Sequence, residues 1–320
     1  MTSLHGNALA KQSFSAALEG GSLHHAWLFA GPEGIGKASF AMLAARRVLA
    51  GAGRPDDFAI PADDRTQHLI DAGSHPDFRR LERLPRDDKK PEQGLARSIT
   101  VAQIRALEPF LGVKPTYSDR RVVLIDSADD LERNGANALL KNLEEPPAGT
   151  VFLLVSHAPG RLLPTIRSRC RLLRFEPLDD ADMRAALTDA GAKPAEIEEL
   201  VRVGQGSPAQ ALAMAGLDIA GLDKALGELA KGDPSNAVRA QLASALSLKA
   251  AQPRYEAFLD RAPRFIANQA QRRGGEPLRT ALDAYDAARN LAASALGLSL
   301  DAQGTVFEMG GIVASLANRR

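Results

Sequence analysis

The sequence predicts an α/β fold built on a mainly parallel sheet and followed by helices alone. Continuously apolar runs of about five residues alternate with segments of helical periodicity, which is typical of parallel strands covered on both faces. From Asp179 onward the helical pattern continues without further strands. We therefore expect a sheet domain followed by helical domains. The expected strands lie near 26–30, 122–126, 151–155 and 171–175, and the helices between them near 7–19, 38–50, 101–111 and 133–145.

A glycine-rich loop joins the first expected strand to the helix after it. Residues 31–37 have the sequence Gly-Pro-Glu-Gly-Ile-Gly-Lys, which fits the pattern G-x-x-x-x-G-K-[ST] up to its last position. In that pattern, backbone N–H groups surround phosphate oxygens and the lysine reaches the outer phosphates. The helix N-terminus adds a favourable dipole for an anion. The predicted phosphate-binding residues are Gly31, Gly34, Gly36 and Lys37.

The position that should supply a magnesium ligand is altered. The pattern requires Ser or Thr after the lysine, and this chain has Ala38. Ser39 follows, but one step along a helix turns a side chain by about 100°, so Ser39 would need a register shift to replace the hydroxyl. The loop therefore keeps its phosphate cradle and lacks its metal ligand.

A second part of the nucleotide site is also altered. The strand 122–126 ends in Asp126 and has the form of a Walker B strand, whose aspartate helps to hold Mg²⁺. In active ATPases a glutamate that polarises the attacking water comes next, but this chain has Ser127, a poor base at neutral pH. Asp129 and Asp130 could substitute for it, although an acidic start to the next helix is the favoured interpretation.

Three further motifs follow along the chain. Residues 137–147 have the sequence NALLKNLEEPP, the strand 151–155 leads into Ser156, and a Ser168-Arg169-Cys170 segment comes after it. In this combination the chain resembles the AAA+ subunits of bacterial DNA polymerase III clamp loaders. The resemblance runs from Leu4 to Cys170 and weakens beyond it.

The resemblance implies a fold and a domain organisation. It implies an α/β AAA+ P-loop domain with a parallel sheet over 1–176, a small helical lid over 177–215 and a C-terminal all-helical collar over 216–320 that serves oligomerisation. The helices expected in the last two parts lie near 180–190, 194–203, 208–214, 217–230, 234–250, 254–272, 276–296 and 300–318. The apolar stripe from Leu278 to Tyr285 is by itself more typical of a core than of an interface.

The resemblance also assigns roles to single residues. It implies that Arg169 is an arginine finger given in trans, because an always-charged guanidinium at a subunit edge can stabilise a γ-phosphate held by its neighbour. Composition alone favours an ion pair within the chain, or a basic edge shared with Arg167, Arg171 and Arg174. Ser156 occupies a polar sensor position. Ala209 stands where active subunits have a second sensing arginine.

Within this family the altered site favours the delta-prime type. That type implies little or no ATPase activity of its own, and gamma/tau and delta subunits as partners in a hetero-oligomer within the DNA-directed DNA polymerase III holoenzyme. The complex would load the sliding clamp onto primed DNA. Two alternatives remain open, a gamma/tau-like ATPase with unorthodox Mg²⁺ coordination and a DNA-binding AAA+ helicase or remodeller. Whether the loop binds ATP or ADP without hydrolysis also remains open.

Cysteine usage separates this chain from relatives that carry a zinc module. The chain has one cysteine, Cys170, so neither a Cys₄ zinc site nor an internal disulfide can form. His68 and His75 lie in the corresponding region, but we expect a remodelled loop and helix without metal.

The polar segment 81–97 is expected to form a solvated hairpin or loop. Cys170 itself is expected to be a small buried residue rather than a nucleophile.

Composition and charge limit the classes of function that remain for this chain. The chain has 320 residues, 45% of them hydrophobic, and 40 basic against 39 acidic residues give a formal net charge of +1. No global attraction to nucleic acid follows, so any DNA contact must be local. The N-terminus lacks the pattern of a signal peptide and no apolar run is long enough for a membrane span, so we expect a cytoplasmic protein without membrane partners.

Overall fold

The computed structural model describes residues 4–51, 58, 64–87, 89–90, 94–298 and 300–317. These residues form two compact units, Met1–Leu212 and Ala213–Arg320. The three domains expected from the sequence, with boundaries after residues 176 and 215, stay a prediction. Part of the 51–97 region, namely 52–57, 59–63, 88 and 91–93, lies outside the described residues.

The first unit is built on a five-stranded sheet with the strand order β2-β3-β4-β1-β5. All four strand pairs are parallel. The predicted α/β fold class with a parallel sheet is therefore confirmed. The strands are β1 (Ala26–Ala30), β2 (Phe78–Leu81), β3 (Arg121–Ile125), β4 (Thr150–Ser156) and β5 (Arg171–Arg174).

Strand β2 was not expected from the sequence. It has four residues, and both Arg79 and Arg80 in its middle are exposed, so it lacks the apolar run that marks the other strands. It lies at the edge of the sheet and pairs only with β3. In the segment expected to be a hairpin or loop, Pro85 and Leu95 form an isolated antiparallel bridge.

Helices cover the sheet and continue beyond it. The predicted helix 101–111 is wrong as one element: it is broken into α4 and α5, because Pro109 in the first turn of α5 cannot donate the backbone hydrogen bond that a continuous helix requires. The helices of the first unit are α1 (Ala8–Glu19), α2 (Lys37–Leu49), α3 (Arg65–Asp71), α4 (Val101–Arg105), α5 (Glu108–Leu111), α6 (Arg133–Glu144), α7 (Pro164–Arg167), α8 (Asp180–Asp189), α9 (Ile197–Gly204) and α10 (Pro208–Ala213), whose last residue is the first of the second unit.

Side chains of β1 enter two separate cores because they alternate across the sheet. Trp27 and Phe29 face a core with helices α1 and α2, where the rings of Phe14 and Trp27 lie 4.9 Å apart and those of Phe29 and Phe40 lie 5.2 Å apart. Leu28 faces a second core with α4 and α6. The strand that carries the glycine-rich loop is thus fixed from both faces.

Asp77 is a buried structural anchor. Its carboxylate accepts hydrogen bonds from the backbone N–H groups of Thr116, Tyr117 and Ser118 at 2.7, 2.6 and 2.9 Å. Burial raises the pKa of Asp77, but these hydrogen bonds lower it by more, so the pKa lies below its ordinary value. The Asp77 side chain therefore ties the turn before β3 to the start of β2.

His75 lies beside this anchor and is buried. Its Nδ1 accepts a hydrogen bond of 3.1 Å from the backbone N–H of Asp77, and burial lowers the pKa of the ring. His68 lies on helix α3. Among the described residues, no group of three or more His, Cys, Asp or Glu side chains is arranged to hold a metal ion.

The second unit is all helical. Helix α12 ends earlier than predicted, at Leu246, and a short 3₁₀ turn follows at Lys249–Ala251. In the described residues of the chain, no helix is both long and apolar enough to cross a membrane. The helices are α11 (Ile219–Leu229), α12 (Ala237–Leu246), α13 (Gln252–Ala270), α14 (Gly275–Leu298) and α15 (Ala302–Ala314).

Helix α14 has small apolar residues on one face and larger apolar residues on another. Its buried stripe consists of small residues, namely Ala281, Ala284, Ala288 and Ala295. Its larger residues lie outside this core, with Leu282 50% and Leu296 55% exposed. Of the apolar stripe from Leu278 to Tyr285, Ala281 and Ala284 therefore belong to the core, whereas Leu282 does not.

We predict that Asp77→Asn destabilises the protein by about 1–3 kcal/mol, because an amide N–H would replace one acceptor oxygen among buried N–H donors. The folded-state pKa is depressed, so this contribution is present above the ordinary pKa of about 4 and is lost as the pH falls through the folded value. Urea unfolding from pH 7 to pH 3 measures it. Asp119→Asn, at an exposed position in the same loop, is the control. Equal losses in both variants would contradict the anchor role.

Candidate functional site

The glycine-rich loop lies between the carboxyl end of β1 and the N-terminus of α2. Gly34 and Gly36 have φ values of +78° and +96°, a conformation that disfavours other residues. Gly31 is required for a different reason, since a Cβ atom there would lie 2.2 Å from the carbonyl oxygen of Phe175, after β5. The backbone thus adopts the compact turn that the sequence predicted.

Lys37 is the first residue of α2 and is 2% exposed. Its ammonium donates a hydrogen bond to the carbonyl oxygen of Pro32, within the same loop. Burial lowers the pKa of Lys37 to about 8, against the opposing effect of nearby carboxylates that include Asp129 and Asp126. The ammonium is therefore held at the loop and can lose its proton at mildly alkaline pH.

The segment before α10 packs directly on the loop. The hydroxyl of Ser207 donates to the carbonyl oxygen of Glu33 at 3.0 Å, and the backbone N–H of Ala209 donates to that of Gly34 at 3.2 Å. In a planar trans peptide the next N–H points opposite to the carbonyl. The N–H groups of Gly34 and Ile35 consequently point away from this contact, as a phosphate cradle requires.

Asp126 follows β3 at the same edge of the sheet and already has a cationic partner. Its Oδ2 atom lies 2.9 Å from Nη2 of Arg80, which also lies 2.9 Å from a carboxylate oxygen of Glu82. The Asp126 side chain is 15% exposed. Arg80 belongs to the unpredicted strand β2, so sequence reasoning missed this partner of the predicted Walker B aspartate.

Asp129 connects the end of β3 to the end of β4. Its carboxylate accepts hydrogen bonds from the Ser156 hydroxyl at 3.0 Å and from the backbone N–H groups of His157 and Ala158 at 2.6 and 3.0 Å. It contacts the β4 end rather than the N-terminus of α6. The hydroxyl proton of Ser156 is thereby directed at Asp129, and the side chain is fully buried.

Asp130 has separate partners from its neighbour. Its Oδ2 atom lies 3.2 Å from Nε of Arg83 and 3.4 Å from the hydroxyl of Ser127. Ser127 is buried, at 4% exposure. Each of the two acidic residues after Ser127 is therefore engaged by groups of its own chain.

The predicted site residues lie at two opposite edges of the sheet. Strands β3, β4 and β1 are adjacent and parallel, so Asp126, Ser156 and the glycine-rich loop, which follow them, meet at the carboxyl edge. Arg169 precedes β5, which is parallel to β1, and therefore lies at the amino edge. A strand of four residues spans about 13 Å. The structure thus separates Arg169 from the phosphate loop of its own chain.

Arg169 is held by two acceptors of its own chain. Its Nη2 atom lies 2.7 Å from Oε1 of Glu144, and its Nη1 donates to the carbonyl oxygen of Thr165 at 2.9 Å. The side chain is 33% exposed. The ion pair that composition favours is therefore present, and the role of Arg169 in trans stays a prediction.

The residues on either side of Arg169 have structural contacts. Cys170 packs partly buried against the sheet core, and burial raises its pKa to about 12, so it is protonated at neutral pH. The guanidinium of Arg171 lies 5.0 Å from the centre of the Trp27 ring. Arg167, Arg171 and Arg174 are nevertheless exposed, as in the basic edge that composition also allows.

A family model for DNA polymerase III, delta subunit, matches residues 6–179, more than half of the chain. The chain belongs to this family. The match includes the phosphate loop, Asp126, Ser156 and Arg169. The resemblance inferred from the motifs is therefore confirmed.

Individual relatives are also subunits of DNA polymerase III. The chain is similar to DNA polymerase III subunit delta' of Pseudomonas aeruginosa, with 40% identity over 62% of this chain and 58% of the relative. It is 32% identical to subunit delta' of Escherichia coli over 62% of this chain and 57% of the relative. It is also 31% identical to subunit gamma/tau of Mycobacterium bovis, over 62% of this chain and 34% of that protein. The chain thus matches little more than half the length of the delta' relatives.

Among solved structures, the chain is similar to a DNA polymerase III gamma subunit-related protein from Thermotoga maritima. The TM-score is 0.49 and the sequence identity 16%, over 95% of this chain and 97% of the other.

We predict that Gly34→Ala disrupts the packing of the Ser207–Ala209 segment on the loop. A Cβ atom at Gly34 would lie 2.3 Å from the Ser207 hydroxyl. Gly191→Ala is the matched control, because its φ of +79° gives the same backbone strain while no atom lies within 4 Å. The control should lose about 1–2 kcal/mol of stability, and Gly34→Ala more, with faster amide exchange at Ala209. Equal stability losses and unchanged exchange would contradict this packing.

Proposed function

We propose that this chain is a delta-prime-type subunit of a bacterial DNA polymerase III clamp loader, with little or no ATPase activity of its own, that supplies Arg169 to a nucleotide held by its neighbour. The observation that carries the proposal is the separation of Arg169 from its own phosphate loop across a parallel sheet. A partly exposed guanidinium at the far edge cannot serve the loop of its own chain. It is available to an adjoining subunit.

The altered nucleotide site supports weak or absent hydrolysis. Ala38 cannot ligate Mg²⁺, Ser127 cannot act as a base at neutral pH, and Ala209 cannot contact a γ-phosphate as an arginine would. Asp126 is in addition neutralised by Arg80, which opposes its use as a metal ligand. Loss of one transition-state donor costs about 10²–10³ in rate, and these losses are not simply additive.

The same site supports passive binding of ATP or ADP. The loop retains Gly31, Gly34 and Gly36, its N–H groups of Gly34 and Ile35 point away from the segment packed on it, and the ammonium of Lys37 is held at the loop. Backbone N–H groups bind phosphate oxygens without a metal. The hydroxyl proton of Ser156 is already donated to Asp129, so Ser156 would contribute to nucleotide binding only as part of the loop that Asp129 orders.

The proposed partners are gamma/tau-type and delta-type subunits, with the sliding clamp and primed DNA reached through the complex in the cytoplasm. Similarity to the delta' and gamma/tau subunits of DNA polymerase III supports a clamp-loader assembly. The exposed leucines of α14, Leu282 and Leu296, support the use of the second unit as an oligomerising collar. A net charge of +1 supports DNA contact through the complex rather than by this chain alone.

A gamma/tau-like ATPase is the second candidate, because the chain is 31% identical to a gamma/tau subunit. The two candidates differ in turnover by the isolated chain. A steady-state ATPase rate that disappears in Lys37→Met would favour the gamma/tau-like function. A rate equal to that variant's background supports the delta-prime type.

We predict that nucleotide affinity falls about tenfold between pH 7 and pH 9, because the pKa of Lys37 is about 8 and only the protonated form binds phosphate. Magnesium should change the affinity little. Calorimetric titration with ATP and ADP at both pH values measures these effects. In Lys37→Arg the charge persists, so the pH dependence should disappear. A strong magnesium-dependent preference for ATP would contradict passive binding.

We predict that Arg169→Ala leaves the chain folded and assembled but partly reduces ATP hydrolysis by the complex. A trans arginine contributes about 10³–10⁵ at one site in well-studied GTPases, and only the site facing this subunit would lose it. Clamp- and DNA-stimulated ATPase and clamp loading by the reconstituted complex measure the effect. Arg167→Ala, on the same turn, is the control. Wild-type hydrolysis by an assembled Arg169→Ala complex would refute the role in trans.

A further inference from the structure

Glu144 is the last residue of α6 and belongs to the NALLKNLEEPP motif, to which the function above gives no role. We infer that Glu144 is a positioning residue for Arg169: its carboxylate orients the guanidinium toward the nucleotide of the neighbouring subunit. This inference rests on the proposed function of Arg169 in trans.

Two contacts fix the plane of the guanidinium. Nη2 of Arg169 lies 2.7 Å from Oε1 of Glu144, at the end of α6. Nη1 donates to the carbonyl oxygen of Thr165 in α7 at 2.9 Å. Both terminal nitrogens are therefore held, each by a different helix. Together the two contacts favour one orientation of the guanidinium without locking it.

The held guanidinium still has donors for an anion. Arginine has five N–H donors, and these contacts use two of them. The other three remain for a phosphate, and the exposed third of the side chain lets another chain reach them. Glu144 thus orients the guanidinium of Arg169 and leaves three of its N–H donors for a phosphate.

The position of Glu144 strengthens its hold on a cation. The carbonyl groups at the C-terminus of a helix carry a partial negative charge, which adds to the charge of the carboxylate. The Glu144 side chain is 48% exposed, so the pair is screened by water and is weak. Arg169 can therefore shift toward a phosphate without a large barrier.

Glu145 provides a matched control within the same motif. It is also exposed and carries the same charge. Among the ion pairs of the described residues, Arg169 pairs with Glu144 and not with Glu145. A difference between variants at these two neighbouring positions therefore reports on the contact and not on the local charge.

The test uses the full chain reconstituted with its clamp-loader ATPase subunits. We expect Glu144→Ala to lower the stimulated kcat for ATP by about two- to fivefold, as expected for loss of an exposed ion pair, and by no more than Arg169→Ala does. The KM for ATP should stay unchanged, because the phosphate loop of the neighbour is intact. Glu144→Gln keeps an acceptor oxygen and should retain more activity than Glu144→Ala, whereas Glu145→Ala should match the wild type.

A double variant separates positioning from a merely structural role. In the Arg169→Ala background, Glu144→Ala should have no further effect on kcat, because the group it positions is gone. A further, additive loss there, or an unchanged kcat in Glu144→Ala while Arg169→Ala is impaired, would overturn the inference. An unimpaired Arg169→Ala complex would instead refute the proposed function. Size-exclusion chromatography of every variant confirms assembly, and Glu144→Gln serves where Glu144→Ala does not assemble.

Discussion

The common direction of the five strands is the constraint on which the rest of the site depends. Because every strand pair is parallel, all carboxyl ends share one edge and all amino ends share the other. The phosphate loop, Asp126 and Ser156 are thereby brought together, while Glu144 and Arg169 are placed at the opposite edge. One chain consequently presents the phosphate loop at one edge of the sheet and Arg169 at the other.

The phosphate loop has extensive structural support, although Ala38 replaces the hydroxyl residue that would bind Mg²⁺. Trp27 and Phe29 fix the strand before it from one core, and Ser207 and Ala209 hold its carbonyl groups. Lys37 is buried even though burial of an ammonium is unfavourable, as its lowered pKa shows. The loop geometry is therefore maintained by packing and hydrogen bonds that do not depend on Mg²⁺ or on catalysis.

Charged groups around both edges have partners within the chain. Arg80 pairs with Asp126, Asp129 binds the end of β4, and Glu144 pairs with Arg169. Such contacts neutralise or orient groups that an ATPase would direct at metal, water and phosphate. In this chain these charged residues therefore order the loops at the two edges of the sheet.

The sequence alone predicted β1, β3, β4 and β5, because their residues form apolar runs. It also predicted the compact glycine-rich turn between β1 and α2, because glycines at that spacing allow the backbone conformations of such a loop. It could not predict β2, whose two exposed arginines break the apolar pattern and which is a strand only because it pairs with β3. The partners of Asp126, Asp129 and Arg169 were likewise decided by the tertiary structure. Ion pairs between residues far apart in the chain leave no periodic signal, so only the folded sheet determines which charges meet.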